Sequence, residues 1–141
     1  MGSLEVGTNV IYGRQDRGRF LGRIHDGARR GLKESADEGA RIARLLATKK
    51  TGRMAGTITS GSGTSGAYWS VGTSYWATQE FGTRPHDITG WVRFYWAREG
   101  RSWTPGPNTI HHPGNRAVHF MRDSFEQVRP MIMPNIRRNI A

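Results

Sequence analysis

Between Arg17 and Lys50 the apolar and small residues recur at steps of three and four. Phe20, Leu21, Ile24, Ala28, Leu32, Ser35, Gly39, Ile42, Ala43 and Leu46 fall on one face of a helix. Asp16 stands where a side chain can cap its start, and Lys49-Lys50 suits the negative end of the helix dipole. Gly18, Gly22, Gly27, Gly31 and Gly39 interrupt the pattern, each costing about 1 kcal/mol relative to alanine in a helix interior. Two readings follow: a frayed or bent helix, or a small-residue face packed closely against a sheet or a neighbouring subunit. Thr51-Gly52 is read as the end of the helix, because glycine is the usual residue just past a C-terminus.

Beyond it the period shortens. Residues 54–59 and 67–72 are β-prone runs around the tract SGSGTSG at 60–66, which predicts a hairpin with a Ser/Gly loop. Tyr75 to Phe81 suits a short helix or a strand. Trp91 to Trp96 alternates as a strand, with Trp91, Arg93 and Tyr95 on one side and apolar residues on the other, so both faces are expected to be buried. Glu99 to Asn108 holds Gly100, Pro105, Gly106 and Pro107 and reads as a turn or exposed loop. Helical character returns at Arg116, with Val118, Met121, Phe125 and Val128 on one face. Pro130 and Pro134 break it, leaving a separate short helix or an arm. Residues 1–16 lack periodicity and are read as an extended arm or edge strand. The expectation is a single α+β domain over residues 1–141. It has a long N-terminal helix packed on a small antiparallel β-sheet, a C-terminal helix, and extended terminal arms at 1–16 and 129–141.

Composition narrows the class. The 141 residues hold no cysteine, so disulfide scaffolds and cysteine metal sites are excluded. No apolar run approaches the length of a membrane span, and the first residues lack the basic start and apolar stretch of a signal peptide. A soluble intracellular protein is the default expectation. With 21 Lys+Arg against 11 Asp+Glu the formal charge is +10, which raises the prospect of an acidic partner. Residues 1–83 carry 12 basic and 7 acidic side chains and residues 84–141 carry 9 and 4, so each part is +5 and neither end is a detachable basic tail.

A search for catalytic chemistry finds none. His111 and His112 are neighbours that would point to opposite faces of a strand, poor geometry for one metal ion. His112, beside Pro113-Gly114, reads as a turn residue bonded to the local backbone. Ser74, His86 and Asp87 could be drawn as a triad, but no serine lies in a nucleophile elbow. The Ser/Gly tract lacks the Lys-Ser/Thr ending of a phosphate-binding loop. Asp123 and Glu126 are spaced as a solvated helix face. The expectation is a non-enzyme with no cofactor and no metal. The aromatic and arginine residues around Tyr68-Trp69 and Trp91 to Arg98 suit either a single-strand-binding surface or a subunit interface, and the interface reading is favoured.

Three blocks then carry a family resemblance: Lys50-Thr51-Gly52-Arg53-Met54 directly after the long helix; Tyr75-Trp76-Ala77-Thr78-Gln79-Glu80-Phe81-Gly82-Thr83-Arg84-Pro85-His86; and His111-His112-Pro113-Gly114-Asn115-Arg116-Ala117-Val118-His119-Phe120, continuing to Phe125. In order and spacing they resemble the small neck proteins of tailed phages, known as tail-component, tail-completion or head–tail joining proteins. That family typically shows a helix, then T-G-x-L, Y-A-x-x-x-E-F-G-T and H-P-G-x-x-A-x-x-F-L. The resemblance spans about residues 20–128. Trp76, Gln79, His119 and Ser124-Phe125 depart from the usual pattern and bear on packing rather than chemistry.

The resemblance implies a virion structural protein of a siphophage-type neck, made in the host cytoplasm and acting at the head-to-tail junction. It implies a homo-oligomeric, six-fold ring between a connector or head-closure protein and the tail terminator or tail tube, close to packaged DNA and away from any membrane. The tail-terminator role in the same neck is an alternative, as is a basic nucleic-acid-binding module. The motif residues are Thr51, Gly52, Tyr75, Glu80, Phe81, Gly82, Thr83, His112, Pro113, Gly114 and Phe120. Arg84, Trp91, Arg93, Tyr95, Arg98, Arg137 and Arg138 are the expected interface residues. Physically, Gly82 suits an abrupt stop that needs a positive φ, and Thr83 can cap the turn through its hydroxyl. Glu80 is a lone acid whose expected partner is Arg84 or an arginine of a neighbouring subunit. Phe120 is expected to anchor the helix that follows.

Overall fold

A computed structural model describes residues 14–49, 51–88, 94–96, 101–103 and 110–141. The long helix, α1, runs Arg14–Leu46, followed by a single turn, α2 (Arg53–Gly56), and the hairpin β1 (Thr59–Ser62) and β2 (Ala67–Ser70). A short helix α3 (Trp76–Phe81) leads to β3 (His86–Ile88), β4 (Phe94–Trp96), β5 (Arg101–Trp103) and β6 (Ile110–His112). Helix α4 (Phe120–Val128), a 3-10 turn (Arg129–Met131) and α5 (Ile132–Ile140) complete the chain. The strands form three two-stranded antiparallel sheets, β1 with β2, β3 with β6 and β4 with β5. The architecture is α+β, with a long N-terminal helix, small antiparallel sheets and a C-terminal helix.

Several elements differ from the sequence reading. Residues 14–16 belong to α1 rather than to an arm, and Asp16 lies in its first turn. Met54 to Gly56 is helical, and Gly52 does not end α1 but precedes α2 at φ 72°. The first hairpin strand therefore begins at Thr59, and the loop shrinks to 63–66 because β1 takes Ser60, Gly61 and Ser62 of the Ser/Gly tract. Arg101–Trp103, read as loop, forms a strand beside Phe94–Trp96, with Phe94 opposite Trp103. The segment 116–119 is not helical, because its Val118 and His119 N–H groups bond to carbonyls of α3. Residues 1–13, with most of the expected N-terminal arm, and Trp91 and Arg93 lie outside the described residues.

The buried face of α1 also differs, and size explains it. Phe20 and Leu21 are each 56% exposed, whereas Gly27, Gly31, Ser35, Ala36, Gly39, Ala40, Ala43 and Ala47 are buried. α5 lies antiparallel against this small-residue stripe. A Cβ at position 31 would sit 2.5 Å from the Ile136 Cα, and one at position 27 would sit 2.6 Å from the Asn139 carbonyl oxygen. Between the two open readings of the helix glycines, close packing describes Gly27 and Gly31, while Gly18 and Gly22 meet nothing within 4 Å. Polar groups fix the register of this contact. The Asn135 Nδ2 donates to Ser35 Oγ at 3.0 Å, and Arg138 and Asn139 both donate to the Glu34 carboxylate, at 2.6 and 3.1 Å. Residues 129–141 are thus a helical segment docked on their own chain, not an extended arm.

Trp69 of β2 is the second wedge. Its indole covers Gly39, where a Cβ would lie 2.8 Å from the ring, and its Nε1–H donates to Ser124 Oγ at 3.1 Å. Phe125, expected inside, is 45% exposed and stacks on Trp69 with ring centres 6.1 Å apart. The α4 residues that face inward are Phe120, Ser124 and Val128, spaced by four and all without exposed surface. Phe120 joins Ala40, Ala43, Ala47, Met54 and Ile58 in the core, flanked by Trp69, Val71, Trp76 and Met121. Arg44 closes the far side, its Nε and Nη2 donating to the Ile58 carbonyl at 2.9 and 2.7 Å.

Two expected outcomes follow. Gly31→Ala destabilises by about 1–3 kcal/mol because backbone atoms of α5 must retreat. Gly22→Ala, with open space around it, stabilises by up to about 1 kcal/mol; paired thermal melts distinguish them. The Arg138 hydrogen bond holds the Glu34 carboxyl below the ordinary glutamate value of 4.5 against the opposing effect of burial, with Asn139 and the charges of Arg138 and Arg30 adding to it. A depressed carboxylate contributes stability above its unfolded pKa, and that contribution is lost as pH falls through the folded pKa. Melting temperature therefore falls on acidification below about pH 4.5, and Glu34→Gln makes that fall shallower; an unchanged pH profile would show that the pair is thermally irrelevant.

Candidate functional site

The second and third sequence blocks, about thirty residues apart, meet in one clasp. It starts at the end of α3. The last carbonyls of a helix have no partner within it, and the first N–H groups of the next helix are equally orphaned. Here each end satisfies the other. The Gln79 and Glu80 carbonyls of α3 accept from the Val118 and His119 N–H groups at 2.8 and 3.2 Å. The Glu80 carboxylate accepts from the first N–H groups of α4, Met121 to Oε2 at 2.8 Å and Arg122 to Oε1 at 3.0 Å. Residues 117–119 must stay extended enough to reach α3, which is why the helix begins only at Phe120. His119 turns the corner at φ 56°, the left-handed region uncommon outside glycine.

Glu80 is 3% exposed, so its expected pairing with Arg84 gives way to a helix cap. Burial favours this arrangement. Two N–H donors and the positive end of the α4 dipole replace water around the carboxylate, while an arginine would itself have to be desolvated. Arg84 remains exposed, and only its carbonyl takes part, accepting from His86 Nδ1–H at 2.9 Å.

Directly after Glu80 and Phe81 the chain turns at Gly82, φ 72° and ψ −178°, a conformation essentially confined to glycine. A Cβ there would also lie 2.6 Å from the Asn115 carbonyl oxygen. Thr83 then forms a two-way bridge with Asn115. The Thr83 N–H donates to the Asn115 carbonyl at 2.9 Å, and the Asn115 N–H reaches both the Thr83 carbonyl and its Oγ1, at 3.2 and 2.9 Å. Gly114, at φ 83°, crosses so near that a Cβ would sit 2.2 Å from the Thr83 carbonyl oxygen. The His112 ring accepts from the Gly114 N–H at 3.0 Å and stacks on His86, ring centres 4.9 Å apart. On the other side of the β3–β6 ladder, His111 Nδ1 bonds Asp87 Oδ1 at 2.9 Å. The opposite-face placement of the two histidines is observed.

The remaining motif residues sit elsewhere. Thr51 Oγ1 accepts from the Arg53 N–H at 3.4 Å beside Gly52, so the first block builds α2, and its Met54 shares the core with Phe120. Tyr75, at the head of α3, accepts from Thr78 through its carbonyl. Phe81 is 68% exposed with its ring near Trp76. Among the expected interface residues, Arg138 is spent on Glu34 and Asn135, Arg137 is exposed on α5, and Tyr95 is a β4 residue opposite Ser102. Arg98 lies outside the described residues. Among the described residues no cluster of His, Asp and Glu has metal-binding geometry, and no helix is long and apolar enough to cross a membrane. The sequence reading missed His119, Asn115 and the Trp69–Ser124 bond; only the serine at Phe120 plus four carried a trace, as a polar residue on an apolar stripe.

Comparison with known protein families, with curated proteins and with solved structures finds no match for this chain.

Glu80→Ala leaves two part-buried helix N–H groups without their carboxylate partner and is expected to destabilise by about 1–3 kcal/mol. Gly82→Val is expected to abolish cooperative folding, since a β-branched residue meets both a forbidden φ and the Asn115 carbonyl. A wild-type melting curve for Gly82→Val would remove this glycine from the geometric requirements.

Proposed function

We propose that the chain is a non-catalytic structural protein of the neck of a tailed bacteriophage, acting in tail completion or head–tail joining as a subunit of a homo-oligomeric ring. The observation that carries this reading is the clasp. The blocks that resemble the family, Glu80-Phe81-Gly82-Thr83 and His112-Pro113-Gly114 with Phe120, make mutual contacts as one unit, largely through backbone groups. Residues that serve backbone geometry fit an assembly role better than a chemical one.

A ring built head to tail needs two different surfaces on each subunit. Exposed apolar side chains offer candidates for two: Leu45 of α1 with Tyr75 and Phe81 at the two ends of α3, and Met131 of the 3-10 turn with Met133 of α5. In this proposal the ring sits between a connector or head-closure protein and the tail terminator or tube, within the virion.

Native mass spectrometry of the purified protein, alone and mixed with connector and tail proteins, tests the reading. A ring that forms with those neighbours is the expected result, and a chain that ignores them overturns it. Phe81→Ser should change stability by no more than about 0.5 kcal/mol, as for exposed positions generally, while lowering incorporation into the ring.

A further inference from the structure

The solvent face of α1 carries Arg19, Arg23, Arg30, Lys33, Arg41 and Arg44 at helical steps of three, four, seven and eight. All but the half-buried Lys33 are exposed. Asp26 and Asp37 are the acids on the same line, so the stripe is strongly positive over roughly 37 Å at 1.5 Å per residue. One turn of duplex DNA is about as long, 34–36 Å. Some of these side chains have local duties: Arg30 donates to the Asn139 carbonyl, Lys33 pairs with Asp37, Arg41 with Glu38, and Arg44 donates to the Ile58 carbonyl. Arg23 and Arg29 have no partner among the described residues.

Two clefts open beside the stripe. One, of about 410 Å³, is lined by Asp26, Arg29, Arg30, Lys33, Glu34 and Ser62. The other, of about 170 Å³, lies between α1 and the hairpin loop, with His25 and Arg29 facing Ser62 to Gly66. Arg29 and Ser62 border both. Of the two acids there, Glu34 is already engaged by Arg138 and Asn139, while Asp26 is an exposed carboxylate with His25 Nδ1 3.7 Å away. The hydroxyls of Ser62, Thr64 and Ser65 have no hydrogen-bond partner among the described residues. Unpaired guanidinium groups, free hydroxyls and a glycine-bearing loop form the donor set that holds phosphate oxygens.

We propose that the solvent face of α1 and the 62–66 loop form a binding site for the phosphate backbone of duplex DNA, with Arg29 at its centre. Neither cleft beside Arg29 is lined by a Phe, Tyr or Trp side chain on which unpaired bases could stack, which favours a duplex over a single strand. A membrane surface is disfavoured because the exposed large apolar residues of α1, Phe20, Leu21, Leu45 and Leu46, lie towards its two ends and none of them lines the clefts beside Arg29. This site is independent of the neck assignment: either can fail without the other.

The test is fluorescence anisotropy with a mixed-sequence duplex of about 20 base pairs across a salt series, on the full chain. Arg23→Gln/Arg29→Gln is compared with Arg84→Gln/Arg116→Gln, an equal loss of charge placed on the clasp, after circular dichroism shows both folded. The first variant is expected to bind about tenfold or more weakly near 100 mM salt, with a salt dependence shallower by about one for each phosphate no longer neutralised. The second should stay within about twofold of wild type. Equal weakening by both variants, or no wild-type binding near 100 mM salt, overturns the site. So does equally tight binding to anionic phosphatidylserine vesicles, and so does displacement of the duplex by low-millimolar inorganic phosphate, which would make free phosphate the occupant.

Discussion

The carboxylate of Glu80 is the contact on which the architecture turns. A helix of six residues such as α3 is too short to be stable alone, and α4 adds only nine. Each leaves orphaned backbone groups at the end it presents to the other. Because the Glu80 carboxylate and the Gln79 and Glu80 carbonyls take up the N–H groups of residues 118, 119, 121 and 122, the two helices are held in one relative orientation. That orientation places Phe120 in the core and leads the chain back past Thr83, where Asn115 and Gly114 can bridge. Without the carboxylate, the first turn of α4 would be a part-buried helix end whose Met121 and Arg122 donors lose their partner.

The other half of the fold rests on small residues rather than large ones. With 35% hydrophobic composition the chain cannot build a thick apolar core. It brings backbones close instead, α5 against Gly27 and Gly31 and an indole against Gly39. Close approach gains dispersion contacts over many atoms and tolerates little change in shape. The same approach ties down the C-terminal segment, which leaves Met131 and Met133 outward while Asn135, Ile136 and Asn139 hold the helix in place.

This economy also shapes the surface. Since α1 buries its small side chains, its long and charged ones are left on the solvent side, where a positive line forms along a single rigid element. Ion pairs along it are exposed and contribute little to stability. The placement of charge therefore bears on what the molecule meets rather than on how it folds.

The long helix, the hairpin around the Ser/Gly tract, the turn at Gly82, the turn at Pro113-Gly114 and the buried Phe120 were legible in the sequence, because each depends on local periodicity or on one residue's backbone preference. The buried face of α1 was not. Hydrophobic periodicity favours Phe20 and Leu21, yet they lie beyond Gly27, where the end of α5 is met. The partner of Glu80 was likewise invisible, since its donors are backbone N–H groups, which every residue except proline carries and no pattern marks. Which residues turn, and where helices run, are decided within a few positions of chain. Which carboxylate caps which helix, and which glycines admit another backbone, depend on segments about 40 to 110 residues apart in sequence, and only tertiary packing brings them together.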